Sequence, residues 1–392
     1  METYPALLWK RIHVPPGKSR DRYDASPRSA DQGPQGAVRK GDDVPGAAGG
    51  PLGDGSATPT MRDVADRAGV GLATVSRVVN DAGSVRPATA ERVRAAILEL
   101  GFQRDEVARA LRPGQHSRTI GLLLGDLTNP FYATLAKTAV SAANAERFAV
   151  VLSTVDEDPE VERQAIAELV GRRIAGLVIV PDQGDYRFLR DATGRRPLPV
   201  VFVDRPSSGA DGDSVVLDNE AGGRMATAHL LAHGHRRVAV LVAPSYWTTG
   251  RRLRGYRRAL REAGIVVDER LVVTLRHGTP AAAEAATRTL LALDDPPTAL
   301  FCTTGFLAEG AIRAAGPATG SVAVVGFDDV PLADLLPVPL SIVATDAERL
   351  ASTAVELLLA RVSGSTAPPA RVVLPVRLLE RGSGEVPGPY AT

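Results

Sequence analysis

A chain of 392 residues with 46 Lys and Arg against 45 Asp and Glu is too long for one simple domain and has no global basicity. Any contact with nucleic acid must therefore rest on a local patch. The single cysteine, Cys302, excludes an internal disulfide framework; no apolar run reaches membrane-spanning length, and Ala6-Leu7-Leu8-Trp9 is too short for a signal-peptide core. Composition thus predicts a soluble cytoplasmic protein without a membrane partner.

Residues 1–57 are rich in Pro, Gly, Ser, Ala and Asp and show no lasting periodicity. Such a segment buries too little apolar surface to offset its ordering entropy, so a disordered N-terminal extension is expected. At Thr60 the pattern changes. Thr60 and Asp63 have the spacing of a capping box, and Val64, Ala65 and Ala68 give a short helix a small apolar face. Gly69-Val70-Gly71 breaks the chain before a second helix, Leu72 to Val79. Counted from Met61, a small residue (Ala65) lets the helices cross, a glycine (Gly69) tolerates a positive φ in the turn, and Val75 packs beneath the junction. This is the spacing of a helix-turn-helix, whose second helix enters a DNA major groove. A third helix, from about Ala88 to Leu100, is led in by Pro87 and closed by Gly101; Val93, Ile97 and Leu100 complete the small core and Phe102 plugs it. The predicted DNA-binding domain spans residues 58–104.

Residues 105–117 form a separate piece. Asp105 to Leu111 is helical in composition, but seven residues are too few to hold a helix alone, and Pro113-Gly114 stops it. From Thr119 apolar strands alternate with amphipathic helices, the pattern of doubly wound α/β domains. Predicted strands are Ile120–Leu124, Ala149–Ser153, Gly176–Val180, Pro199–Val203, Ser214–Leu217, Val238–Val242, Leu271–Thr274, Ala299–Cys302 and Val322–Val325. Helices such as Ala221–His233 and Arg252–Ala263 fit between them. The Gly- and Pro-rich residues 383–392 are expected to be a flexible tail.

The stretch DVADRAGVGLATVSRVVN resembles, almost position for position, the first two helices of the lactose-repressor (LacI/GalR) family of transcription regulators. The resemblance covers about residues 60–380. It implies an N-terminal all-α helix-turn-helix head followed by an α/β periplasmic-binding-protein-like effector domain of two doubly wound parallel-sheet lobes. That domain is expected over 118–382, with the first lobe at about 118–217 and 345–367 and the second at about 218–344 and 368–382. The family further implies a cytoplasmic repressor, nucleoid-associated when bound to DNA, that is released by a small, sugar-like effector held between the lobes. No cofactor or metal is implied. A homodimer on a palindromic operator is expected, because one three-helix head and a short hinge offer too little surface for tight specific binding. The extension at 1–57 is then a spacer, an arm touching DNA, or the product of a start codon assigned too far upstream.

The resemblance and the chemistry together single out residues. In the recognition helix Leu72 and Ala73 hold the family's base-choosing positions and are apolar, which suits a thymine methyl and not a bidentate bond. Thr74, Ser76 and Arg77 are the polar readers left, with Arg77 suited to guanine. Asn80 is expected to hold a phosphate or cap the helix end; Arg86, Thr89 and Arg104 are candidate phosphate contacts. Ala108 and Leu111 match the hinge helix, whose leucine in the family wedges into the minor groove. In the cleft, Asn129, Phe131 and Tyr132 follow the first strand; either both rings face the cleft or Phe131 is core and Tyr132 alone does. Arg252, before Gly255-Tyr256, matches an arginine that holds ligand hydroxyls or a carboxylate. Asp328, after Val325-Gly326-Phe327, matches an acceptor aspartate expected on the opposite lobe. Asp204 and Asp218-Asn219 sit at strand ends as ligand, hinge or capping residues. Where the family usually reads Asn-Asp, this chain has Thr304-Gly305, which predicts a smaller, less charged wall with room for ligand bulk toward Gly305.

Two other classes fit less well. A free binding protein of transport type requires export, and the chain has a helix-turn-helix where a signal peptide would be needed. An enzyme on an α/β scaffold is disfavoured, since no nucleophile elbow, phosphate loop or metal-spaced cluster occurs. Within the family, the altered wall also admits a regulator that has lost its effector.

Overall fold

A computed structural model of the chain describes residues 59–80, 83–102, 117–155, 158–182, 185–191, 197–206, 212–243, 246–316 and 321–391. The expected N-terminal extension and the hinge segment with Arg104, Ala108 and Leu111 lie outside the described residues. The chain divides into two units, Met1–Phe102 and Gln103–Thr392.

The first unit carries α1 (Met61–Ala68), α2 (Leu72–Asn80) and α3 (Pro87–Leu100). The capping box forms as the spacing predicts: the Asp63 carboxylate accepts from the Thr60 N–H at 2.7 Å, and the Thr60 hydroxyl accepts from the Asp63 N–H at 3.4 Å. Gly69 ends α1 in the left-handed region at φ 61°. Val64, Ala65, Ala68 and Val75 meet Val93 and Ala96 of α3 in one small core, ringed by Ile97, Leu100 and Phe102. An Arg67–Glu99 ion pair ties α1 to α3 on the surface.

The second unit runs β1 (Thr119–Leu124), α4 (Pro130–Ala145), β2 (Ala149–Thr154), α5 (Pro159–Gly171), β3 (Gly176–Ile179), α6 (Phe188–Asp191), β4 (Val200–Val203) and β5 (Asp213–Leu217). It continues with α7 (Asn219–Ala232), β6 (Val238–Val242), α8 (Trp247–Glu262), β7 (Val272–Thr274), α9 (Pro280–Leu291), β8 (Ala299–Cys302) and α10 (Gly305–Ala315). Last come β9 (Ala323–Phe327), β10 (Ser341–Ala344), α11 (Ala347–Val362), β11 (Arg371–Leu374) and β12 (Arg377–Leu379). Two six-stranded sheets result, ordered β11-β5-β4-β3-β1-β2 and β12-β10-β9-β8-β6-β7. The first is parallel throughout, and the second is parallel except for the β10–β12 pair. Successive strand residues point to opposite faces, so each sheet has two cores. Ile120, Leu122 and Leu124 pack with α4 and α11, while Leu123, Leu177 and Ile179 pack with α5. In the second sheet Ala239 and Leu241 meet α9 and α10, and Val238, Val240 and Val242 meet α7 and α8. The chain crosses between the lobes three times, at Asp218, at Thr345-Asp346 and at Pro375-Val376.

Helices α7 and α8 cross closely at two glycines. A Cβ on Gly223 would strike the Arg252 carbonyl, and one on Gly255 would strike the Glu220 carbonyl. Helix α8 begins five residues before the expected Arg252, which places Tyr246 at its N-cap and Trp247 in its first turn.

Two expectations about the C-terminal region are corrected. Residues 368–382 do not belong wholly to the second lobe, because β11 pairs with β5 in the first sheet. The cause is Asp213. Its buried carboxylate accepts from Arg361 Nε at 2.7 Å and Nη2 at 2.8 Å and from the Ala370 N–H at 2.7 Å, steering the chain after α11 back to β5. Nor is 383–392 a loose tail. The Val324 N–H donates to the Ser383 carbonyl at 2.8 Å, Gly388 N–H to the His233 carbonyl at 2.8 Å, and His235 Nε2 to the Val386 carbonyl at 2.8 Å. Glu385 accepts from the Ser341 hydroxyl at 2.7 Å and lies 2.5 Å from His229 Nε2. Composition misled here because these residues find hydrogen-bond partners on the second lobe, and Val386 packs on its core.

Arg361 holds the Asp213 carboxyl below the usual carboxylate range even though burial alone would raise it. A depressed acid stabilises the fold above its unfolded pKa and loses that contribution as pH falls through the folded value. Asp213→Ala is expected to lower unfolding free energy by about 3 kcal/mol near neutral pH, toward the lower end for a broken buried pair since Arg361 is partly exposed. The difference between wild type and variant should shrink below about pH 4, measured by urea unfolding across pH.

Candidate functional site

In the helical head the surface of α2 is sorted as a reading helix requires. Val75 is fully buried, while Leu72 is 48% exposed. Ala73 and Arg77 are also exposed, and Thr74 and Ser76 are half-buried. Arg86 is exposed at the N-cap of α3 and makes no side-chain cap bond; its carbonyl accepts from the Thr89 N–H at 2.9 Å. Asn80 is the last residue of α2, and its side chain lies outside the described residues.

In the larger unit the most buried arginine among the described residues is Arg252, 4% exposed. Its Nε donates to Asn219 Oδ1 at 2.8 Å and its Nη1 to the Thr303 carbonyl at 2.6 Å. Nη1 also reaches Asp328 Oδ2 at 3.4 Å. The guanidinium carbon stands 3.5 Å from the centre of the Phe327 ring, a desolvated cation–π contact. Burial pulls the Arg252 pKa below its ordinary value, with Asp328 opposing. Asp328 is fixed by the Thr345 hydroxyl, which donates to Oδ1 at 2.8 Å. Arg252 and Asp328 were expected to face each other across the cleft. Both belong to the second lobe, because α8 and β9 pack on the same sheet.

The first lobe contributes a matching group. Asp204, 4% exposed, follows β4 in the left-handed region at φ 67°, the value also found at Asp328 after β9. Each donates its N–H to the neighbouring strand, to Val215 at 2.9 Å and Val343 at 3.0 Å. Burial pushes the Asp204 carboxyl up, with Arg205 and Arg252 pulling it down. Tyr132 Oη donates to Asp204 Oδ2 at 3.4 Å and accepts from Arg205 Nη2 at 3.4 Å. Burial raises the Tyr132 phenol, and the Asp204 charge raises it further.

Arg205 was not anticipated. Its side chain is 14% exposed and lies 3.9 Å from Asp182 Oδ1. Its Nη1 donates to the Pro181 carbonyl at 3.3 Å, and it covers the ring of Tyr246 from the other lobe at 4.3 Å. Its Nε is buried, sits 3.7 Å from Asp204 and finds no hydrogen-bond partner among the described residues. Asp182 is itself held by buried Glu162, which accepts the Asp182 N–H at 3.3 Å and the Tyr186 hydroxyl at 2.8 Å. The available signal was adjacency, since Arg205 directly follows the flagged Asp204.

Other expected residues have local duties. Asn129 caps α4 and accepts the Phe131 N–H at 3.0 Å. Phe131 and Tyr132 both pack on the first-lobe core, edge-on to each other at 5.2 Å, and the Tyr132 hydroxyl meets Asp204 and Arg205. Asp218 caps α7, accepting the Ala221 N–H at 3.0 Å; the next residue, Asn219, is the one that binds Arg252. Thr304 caps α10 while Thr303 supplies the carbonyl to Arg252. The room expected at Gly305 is absent, because a Cβ there would lie 2.7 Å from Val330 Cγ1.

Residues 60–105 match the family described as bacterial regulatory proteins, lacI family, and residues 227–384 match the periplasmic binding protein-like domain. The chain is 32% identical over 330 residues to the ribose operon repressor of Escherichia coli (strain K12), covering 83% of this chain and 99% of that one. It is similar to the structure of the transcriptional regulator CelR–cellobiose complex (TM-score 0.61, 32% identity, 83% and 99% of the two chains). It also superposes on the lac repressor dimer bound to operator and the anti-inducer ONPF, with a TM-score of 0.74, 28% identity and 84% and 99% of the chains covered.

Truncating Arg252 should disturb more than a binding wall. Arg252→Ala leaves Asp328, Asn219 and the Thr303 carbonyl without their common donor, so a stability loss of about 3–5 kcal/mol is expected. Chemical unfolding of the full chain measures it; a loss under about 1 kcal/mol would mean that the network is not closed.

Proposed function

Because the chain belongs to the lacI family of bacterial regulatory proteins, we propose that it represses transcription as a homodimer on a palindromic operator and is released when a small sugar-like effector enters the cleft between its lobes. It acts in the cytoplasm on nucleoid DNA, as a regulator and not as an enzyme. The observation that carries the effector reading is the buried Arg205 Nε, which has no hydrogen-bond partner among the described residues and lies 3.7 Å from Asp204, while Nη1 of the same guanidinium faces Asp182. A buried donor without a partner is destabilising by itself, and a ligand hydroxyl would satisfy it. Around it the two lobes offer alternating donors and acceptors: Tyr132, Asp204 and Arg205 on one side, Asp328 and the edge of Arg252 on the other. A neutral polyol, both donor and acceptor at each carbon, suits such a set better than an anion or an apolar molecule.

On DNA, Leu72 and Ala73 supply apolar contact with thymine methyls, Thr74, Ser76 and Arg77 read base edges, and Asn80, Arg86, Thr89 and Arg104 hold phosphates. Ala108 and Leu111 contact the minor groove when two copies pair. The effector lowers DNA affinity by favouring the lobe arrangement of the DNA-free state, a coupling of about 1–3 kcal/mol.

Arg77→Ala should relax discrimination at a single base-pair position of a duplex selected from a random pool, by about 1–3 kcal/mol. Loss of affinity spread evenly over all sequences would assign Arg77 to phosphate instead.

For the cleft, a thermal-shift screen of pentoses, hexoses and disaccharides should raise the melting temperature of the wild type. Asp328→Asn should abolish the shift and the release from operator while leaving operator binding intact. This substitution is a cleaner test than removing Arg252, which the fold itself requires. If no sugar moves the wild-type melting point, the chain is a regulator that has lost its effector, a reading favoured by Val330 filling the space over Gly305.

A further inference from the structure

Helix α8 starts on two consecutive aromatic residues, and the ring at its N-cap makes no capping bond. Tyr246 holds the N-cap position without a side-chain cap bond, and the first turn contains no acid. Ser, Thr, Asp or Asn at the N-cap and acids in the first turn would be favoured there on local grounds. Cations face this end instead, where the helix dipole disfavours them. Both rings meet arginines of the other lobe. The Arg205 guanidinium, after β4, lies 4.3 Å from the Tyr246 ring centre, and that of Arg371, on β11, lies 5.6 Å from the Trp247 ring centre. Arg251, one turn along α8, adds a third guanidinium at 5.3 Å from Trp247. Trp247 also walls a groove of about 540 Å³ to which Leu217, Arg371 and Val373 contribute from one lobe and Arg224 and Arg251 from the other.

We propose that Tyr246 and Trp247 form a clasp with Arg205 and Arg371 that holds the two lobes in this arrangement in the absence of ligand. The two contacts lie on adjacent residues of one helix end, so a rotation of the lobes breaks both together. Each is modest alone, and the Arg205–Tyr246 contact is the stronger because its cation is mostly desolvated. The clasp also sits one turn from Arg252 on the same helix. A change in lobe angle therefore moves the clasp and the cleft as one body. The inference holds whichever ligand the cleft accepts.

The test uses the full-length chain. The sequence has two tryptophans, Trp9 and Trp247, so Trp9→Phe leaves Trp247 as the only indole. Acrylamide quenching of its emission then reports how far the first lobe covers it. Arg205→Ala, which removes the contact to Tyr246 and not one to Trp247, should raise the quenching constant by about twofold, and Arg205→Lys should restore most of the protection. In parallel, spin labels on Glu168→Cys and Val266→Cys, one exposed site in each lobe, give the interlobe distance in labelled chain diluted with excess unlabelled protein. Wild type should show one dominant distance. Tyr246→Leu with Trp247→Leu should shift the ratio of lobe arrangements about tenfold toward a second distance, while Tyr246→Phe keeps the wild-type distribution. Arg371→Ala, on an exposed edge residue that the fold does not need, should move the distribution in the same direction as the double variant. The clasp is refuted if Arg205→Ala and Arg371→Ala both leave quenching and distance unchanged. It is equally refuted if Tyr246→Phe disturbs the distance as much as Tyr246→Leu.

Discussion

A guanidinium buried to 4% exposure must have its charge and its donors satisfied by the protein, and Arg252 imposes that demand on three elements at once. It binds α7 through Asn219, the end of β8 through the Thr303 carbonyl, and the end of β9 through Asp328, with Phe327 beneath it. The close crossing of α7 and α8 at Gly223 and Gly255 brings the helix near enough for those bonds to form. The end of the second-lobe sheet is thus tied together by one hydrogen-bonded charge network. Networks of this kind stiffen when complete and are expensive when one member is lost. The central arginine is therefore structural first, and the proposed recognition role falls to Asp328.

The two lobes solve the same problem by different means. The strand orders β5-β4-β3-β1-β2 and β10-β9-β8-β6-β7 repeat one another, and Asp204 and Asp328 occupy equivalent left-handed positions at the ends of β4 and β9. Non-glycine residues adopt that conformation seldom, and Asp more readily than most. Such strain tends to mark functional positions. In the second lobe the neighbouring cation arrives from a helix. In the first it is the next residue in the chain, Arg205, which leaves one donor unused and one face against Tyr246.

Periodicity and spacing revealed the head and the sheet cores before any coordinates, because a buried α2 position such as Val75 and apolar runs such as 238–242 leave no other way to hide their surface. Three short strands toward the C-terminal end leave too weak a record. Ser341–Ala344, Arg371–Leu374 and Arg377–Leu379 carry no readable alternation, and β11 owes its place to Asp213 and Arg361, 148 positions apart in sequence. The cleft was legible in residue type but not in arrangement. A linear sequence names Arg252 and Asp328 without saying that α8 and β9 share a lobe. It cannot separate Asp218, which caps, from Asn219, which binds the arginine. Nor does it show that Val330 fills the space a glycine leaves at 305. These distinctions depend on side-chain direction after folding, which adjacency in the chain does not encode.

The three crossings between the lobes are one or two residues long, and two of them touch the cleft network directly. Asn219, immediately after the first crossing, binds Arg252, and Thr345, within the second, binds Asp328. A ligand that pulls on Asp328 therefore bears on a hinge residue through a single hydrogen bond, with no intervening chain of packed side chains to carry the signal. Recognition and stiffness become one property of this molecule. If Asp328 holds the effector as proposed, any substitution that retunes its choice of ligand also resets the spring against which that ligand must work.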